Sequence, residues 1–92
     1  MIREVELSQQ ARKDLSRVPV HIATKLQDWI EDVEDRGLEE VRKIAGYHDE
    51  PLHGKRRGER SIRLSKGYRA IYRIYKDHVE FVLIEEVTKH EY

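Results

Sequence analysis

Between Gly54 and Arg73 the chain carries Lys55, Arg56, Arg57, Arg60, Arg63, Lys66, Arg69 and Arg73 against one acid, Glu59, a local balance of plus seven. Cations at that density suit a polyanion, because each guanidinium makes charge-assisted and sometimes bidentate hydrogen bonds to phosphate oxygens. Within Tyr68 to Tyr75, alternation sets Tyr68, Ala70, Tyr72 and Ile74 on one face and Arg69, Ile71, Arg73 and Tyr75 on the other. The first set is expected to lie in the core. The second then presents Arg69 and Arg73 on an uncovered sheet face, where Arg63 joins them from the neighbouring strand if the hairpin takes its expected register. Such an array fits a phosphodiester backbone; a surface whose charges only maintain solubility is the alternative. Upstream, His48, Asp49, Glu50 and His53 bring mixed ligand types into one loop, but without helical spacing they are a weak metal set.

These residues need elements to hold them. Val5 and Leu7 alternate with Glu4 and Glu6 as in a half-buried strand, and Ser8 offers an N-cap for a helix through Ala11, Asp14 and Leu15 that stops before Pro19. Proline suits a first helical position. From it Ile22, Leu26, Trp29, Ile30 and Val33 recur as one apolar stripe, ended by Gly37. Trp29 is therefore expected in the core. A short helical turn carries Leu38, Val41 and Ile44 up to Gly46. Beyond it the period changes to two. Ser61 to Leu64, a turn at Ser65-Lys66-Gly67, and Tyr68 to Tyr75 predict a hairpin; after Lys76-Asp77-His78 a third strand runs from Val79 to Val87. Its centre, Phe81-Val82-Leu83-Ile84, is apolar on both faces and belongs in the middle of a sheet. Helices first and an antiparallel meander second predict an α+β domain with the helices packed on one sheet face.

The chain has 92 residues, 38% hydrophobic and 39% charged, which predicts one soluble domain over residues 1–92. It has no cysteine, which removes thiol nucleophiles, disulfides and cysteine-held zinc, and makes the cytoplasm the default compartment. No apolar run approaches the roughly 20 residues of a membrane-spanning helix, and Met1-Ile2-Arg3-Glu4 does not read as a signal peptide. The formal net charge is zero only because segregated charges cancel. From Asp28 to Glu40, seven acids oppose Arg36 alone, and most fall off the apolar stripe, as on the solvent face of a helix.

The whole pattern resembles the RelE, YoeB and HigB group of toxins from type II toxin-antitoxin systems, within the RelE/ParE superfamily. The likeness rests on the opening strand with Leu7-Ser8 and Ala11-Arg12-Lys13-Asp14-Leu15, on Glu50-Pro51-Leu52-His53-Gly54, and on Ser61-Ile62-Arg63-Leu64. It continues through Gly67-Tyr68-Arg69-Ala70-Ile71-Tyr72-Arg73, its most specific piece, to Lys89-His90-Glu91-Tyr92. The resemblance implies a curved antiparallel β-sheet with two to three helices on one face, and a cognate antitoxin as partner. It further implies entry into the A site of the 70S ribosome and cleavage of mRNA there, with no metal or other cofactor.

By the same resemblance, Arg69 contacts the scissile phosphate, Glu50 is the general base, His90 is the acid and Tyr92 stacks on or orients the nucleotide. Glu91 separates His90 from Tyr92, whereas YoeB-like endings have the two adjacent. The chemistry is coherent. Attack by the 2′-hydroxyl needs a base for its proton, an acid for the departing 5′-oxygen and positive charge at the phosphorane. Lys55, Arg56, Arg57, Arg60, Arg63 and Arg73 are then expected to bind RNA, or Lys55 to Arg60 to dock an antitoxin. Two other readings compete: a ParE-like inhibitor of DNA gyrase without nuclease activity, and a noncatalytic RNA-binding module. The terminal His90 and Tyr92 favour the nuclease, since ParE-like members generally lack that pair.

Overall fold

In the computed structural model, residues 1–89 are described; His90, Glu91 and Tyr92, and with them two of the expected catalytic groups, lie outside the described residues. Val5 and Leu7 turn inward from β1 (Glu4–Leu7), and Ser8 caps α1 (Gln9–Leu15) by accepting the Ala11 N–H at 3.0 Å. Pro19 precedes α2 (Val20–Arg36), whose stripe of Ile22, Leu26, Trp29 and Val33 is fully buried. Each such side chain contributes about 1.5–3 kcal/mol by leaving water. Gly37, at φ 86°, ends α2 by donating to the Val33 carbonyl, a conformation that favours glycine. The short α3 (Leu38–Val41) follows at once, tied by the Leu38 N–H to the Ile2 carbonyl at 2.7 Å.

The second half builds β2 (Glu50–Pro51), β3 (Glu59–Arg63), β4 (Tyr68–Asp77) and β5 (Val79–Lys89). The five strands lie in the order β1-β5-β4-β3-β2. As expected, β3, β4 and β5 form an antiparallel meander with β5 inside the sheet. Two features extend that expectation. β1 joins β5 in parallel, Val5 opposite Val82 and Leu7 opposite Ile84, through a pairing that spans nearly the whole chain. The two-residue β2 forms the far edge, Glu50 opposite Ser61 and Pro51 opposite Arg60. Proline is tolerated there because an edge strand leaves one side of its backbone unpaired.

The core lies between α2 and one face of the sheet, where Trp29 meets Tyr72 with ring centroids 5.2 Å apart and Ile62, Ala70, Val82 and Ile84 are buried around them. The acids of α2 and α3 fall mainly on the opposite, solvent side. Ile71 is also fully buried, yet it stands outside this core, on the sheet face turned away from the helices.

One irregularity shapes that second face. Ile71 pairs with Glu86 but Tyr72 pairs with Ile84, so Glu85 is an extra residue in β5. At this point β1 has ended, and the outer edge of β5 is completed by α1 instead. The Ser8 N–H donates to the Ile84 carbonyl at 2.9 Å, the Ser8 hydroxyl to the Glu85 carbonyl at 2.6 Å, and the Val87 N–H to Asp14 Oδ2 at 2.9 Å. These contacts pair the Ile84 and Glu85 carbonyls and the Val87 N–H around the bulge. Among the described residues, no helix is long and apolar enough to cross a membrane.

Candidate functional site

At the β3–β4 end of the open face a cleft of about 90 Å³ is lined by His48, Glu50, Ser61, Ile62, Arg63, Ser65, Tyr68 and Arg69. Its floor is set by register. Glu50 stands opposite Ser61, and Arg63 stands opposite Arg69, so these side chains share one face. The turn at Ser65 to Gly67 closes the end: the Leu64 and Ser65 N–H groups both donate to the Tyr68 carbonyl, at 2.9 and 3.2 Å. Like charges directly across a ladder repel. Neither Arg63 nor Arg69 has a carboxylate partner among the described residues, and Arg69 Nε is buried without an acceptor there. The cleft thus holds uncompensated positive charge and an unused donor beside the exposed carboxyl group of Glu50.

Glu50 reaches this face because of the residue before it. The 3-10 turn Ala45–Tyr47 ends at His48 in a left-handed conformation, φ 47°, and the chain then enters β2. Asp49 points to the helix side, where its fully buried carboxylate accepts Arg60 Nε and the Tyr72 hydroxyl, both at 2.6 Å. Burial first, then Asp49, pushes the Tyr72 hydroxyl far above its usual pKa, so it remains a donor. Sequence reasoning missed this clamp. The available signal was Tyr72 itself, because a tyrosine assigned to the core needs a partner for its hydroxyl. The lining roles of His48 and Ser61 were missed too, since β2 and its register were not foreseen. Tyr68, expected in the core, packs against it and also borders the cleft.

The six cations expected to bind RNA divide into two groups. Lys55, Arg57 and Arg63 are exposed, with no side-chain ion pair among the described residues. Arg60 is taken by Asp49. Arg56, from the 3-10 turn Gly54–Arg56, holds Glu59 through two hydrogen bonds of 3.0 and 3.1 Å and reaches Glu86 at 3.3 Å. Arg73 approaches Glu85 at 3.4 Å and Glu59 at 4.0 Å, and its guanidinium packs against Gly58, where an added Cβ would stand 2.9 Å from its nitrogen. The even cationic track read from alternation is therefore interrupted. The physical reasons are Asp49, which draws Arg60 to the helix side, and Glu59 together with Glu85 and Glu86, both of which the bulge puts on the open face.

Charge within this network is uneven. The Arg56 guanidinium holds the Glu59 carboxyl below its usual range, while burial and then the neighbouring Glu59 carboxylate raise Glu85. Strand β5 ends with Lys89 opposite Tyr68, at the rim of the cleft, one residue before His90.

A five-stranded sheet backed by helices on one face, with a cationic cleft at its hairpin end, has the RelE-like toxin architecture. The family model described as ParE toxin of type II toxin-antitoxin system, parDE, matches residues 5–91. The chain belongs to this family, within the RelE/ParE superfamily, and is a toxin of a type II toxin-antitoxin system. Its structure is similar to a YoeB/ParE toxin from Agrobacterium tumefaciens, with a TM-score of 0.73, 18% identity, and coverage of 96% of this chain and 99% of that one. YafQ from E. coli gives a TM-score of 0.74 at 21% identity, covering 96% and 93%. The toxin-antitoxin complex RelBE2 from Mycobacterium tuberculosis gives 0.70 at 24% identity, covering 98% and 100%. At these identities the likeness is one of fold. No curated protein matches the sequence.

Proposed function

We propose that this toxin is an endoribonuclease that cleaves translated mRNA in the ribosomal A site and is held inactive by a cognate antitoxin. The observation that carries the reading is the cleft that unites Glu50 with Arg63 and Arg69, neither of which has a carboxylate partner among the described residues. A phosphodiester group entering there would relieve the repulsion of the arginine pair and supply the acceptor that Arg69 Nε does not find among the described residues. Glu50 then takes the 2′-hydroxyl proton, Arg69 stabilises the phosphorane and Arg63 assists. His90 acts as the acid and Tyr92 orients the nucleotide, a role supported by the arrival of β5 at the cleft rim with Lys89. Arg63 is the exposed RNA-binding cation of the cleft, Lys55 and Arg57 offer exposed cations to the antitoxin from the loop that enters β3 at Glu59, and Arg56, Arg60 and Arg73 are held in ion pairs.

The family match favours a second reading, inhibition of DNA gyrase by protein binding without nuclease activity. Primer-extension mapping of transcripts after brief expression, with and without a translation inhibitor, separates the two. The nuclease reading predicts cuts at in-frame positions of translated messages only. It also predicts that Glu50→Ala and His90→Gln each lower cleavage by about 10²- to 10⁴-fold. Growth arrest that persists in both variants, with loss of supercoiling and no message cleavage, would establish the gyrase reading instead.

A further inference from the structure

The open face of the sheet carries opposite charge arrangements at its two ends, although cations line it throughout. At the hairpin end Arg63 and Arg69 have no carboxylate partner among the described residues. Toward the other end three carboxylates of β3 and β5 gather around Arg56 and Arg73 on the same face. Glu59 comes from β3, and Glu85 and Glu86 are both brought there by the bulge in β5. They hold Arg56 and Arg73 in place. The Glu59–Arg56–Glu86 bridge runs from β3 to β5, and so crosses β4, in which Ile71 is opposite Glu86 and Arg73 is opposite Glu59. Ile71, fully buried without help from the helix-side core, lies under this layer. Within this network three acids outnumber the two arginines they hold, although the sequence places Arg56 and Arg73 in its most basic stretch.

We propose that Glu59, Glu85 and Glu86 form an electrostatic boundary that confines a single-stranded RNA to the hairpin end of the sheet and so sets where the strand leaves the cleft. The inference rests on the nuclease reading of that cleft. Two features make the boundary rigid. Glu59 is only about 10% exposed and is held by two hydrogen bonds from Arg56, while Arg73 is held between Glu85 and the bare backbone of Gly58. A phosphate approaching Arg73 therefore meets carboxylates already in contact with that guanidinium. It would have to displace Glu85 or share the guanidinium with it, against the repulsion of all three acids.

The test is the affinity of the full chain for a short fluorescently labelled single-stranded RNA, measured by anisotropy across a salt series. Glu85→Gln/Glu86→Gln should free Arg73 and remove two repelling charges. The expected result is a rise in affinity of about tenfold at low salt, and a log-log salt slope steeper by about 0.7 to 1.4, one to two additional phosphate contacts. A control pair, Glu31→Gln/Glu34→Gln on the solvent face of α2, changes net charge equally and should stay within about twofold of wild type. Glu85→Gln alone should give an intermediate gain, which keeps the test valid if the double variant folds poorly by circular dichroism. No gain, or the same gain from the α2 pair, would overturn the boundary. The parent reading is scored separately. Wild-type cleavage of translated messages without the affinity gain rejects only the boundary; the gain without any cleavage rejects the nuclease.

Discussion

Asp49 is the residue on which the placement of Glu50 depends. Its carboxylate is fully buried and accepts two hydrogen bonds of 2.6 Å, from an arginine on β3 and a tyrosine on β4, while Glu50 beside it faces the cleft. Removing one partner of such a buried set strands the others. Asp49→Ala is expected to lower unfolding stability by about 3 kcal/mol, read by urea denaturation, because Arg60 and Tyr72 would both lose their acceptor. A loss below about 1 kcal/mol would mean that the clamp does not hold β2. At this scale the sequence was informative in one direction only. Alternation placed Tyr72 with the core and Arg69 opposite it, and both positions hold. It could not show which arginines were already engaged, because Arg60 and Arg73 find their acids through contacts from other strands and loops. The expected roles of His90 and Tyr92 fall on positions outside the described residues and stand as part of the proposal.

The strands and helices with strong periodicity were legible: α2 from its stripe, the β3–β4 hairpin from its turn, β5 from its apolar centre. β2 was not, since two residues containing a proline carry no period, and β1 gave no indication that it would pair in parallel with β5. The bulge was equally hidden, because an extra residue shows only when two strands are aligned. Its effect on charge yields a prediction. Burial and the Glu59 carboxylate raise the pKa of Glu85, so the folded chain binds that proton more tightly than the unfolded chain. The stability linked to this proton is fully present below the ordinary value of 4.5 and is lost as pH rises through the raised folded value. Glu59 has the opposite sign: its lowered pKa gives stability that is present above about 4.5 and lost as pH falls through its folded value. Glu85→Gln should therefore raise Tm at pH 7, and the gain should shrink as pH falls through the raised folded value of Glu85 and be gone below the ordinary glutamate value of 4.5. Thermal melts that show a pH-independent or reversed difference would contradict this account of the network.

For the whole molecule, an α+β domain with helices on one face of a meander was readable from the order of periods, and the structure adds a parallel edge strand and a clamped β2 edge. The two faces of the sheet then have separate tasks. One buries Trp29, Tyr72 and the α2 stripe to hold the fold together. The other carries charge: arginines held by Glu59, Glu85 and Glu86 at one end, and at the other, where Glu50 stands, Arg63 and Arg69 without an ion pair among the described residues. Belonging to the ParE toxin family is compatible with either an enzyme or a protein-binding inhibitor, so the chemistry of the cleft is the deciding question. The most direct measurement is single-turnover cleavage of mRNA on programmed ribosomes by wild type, Glu50→Gln, Arg69→Gln and the double variant. If both groups act on one phosphodiester, each single change lowers the rate by about 10² or more, and the double falls no more than about tenfold below the worse single, since residues acting as a unit are not additive. Single variants that cleave at the wild-type rate would contradict a shared site.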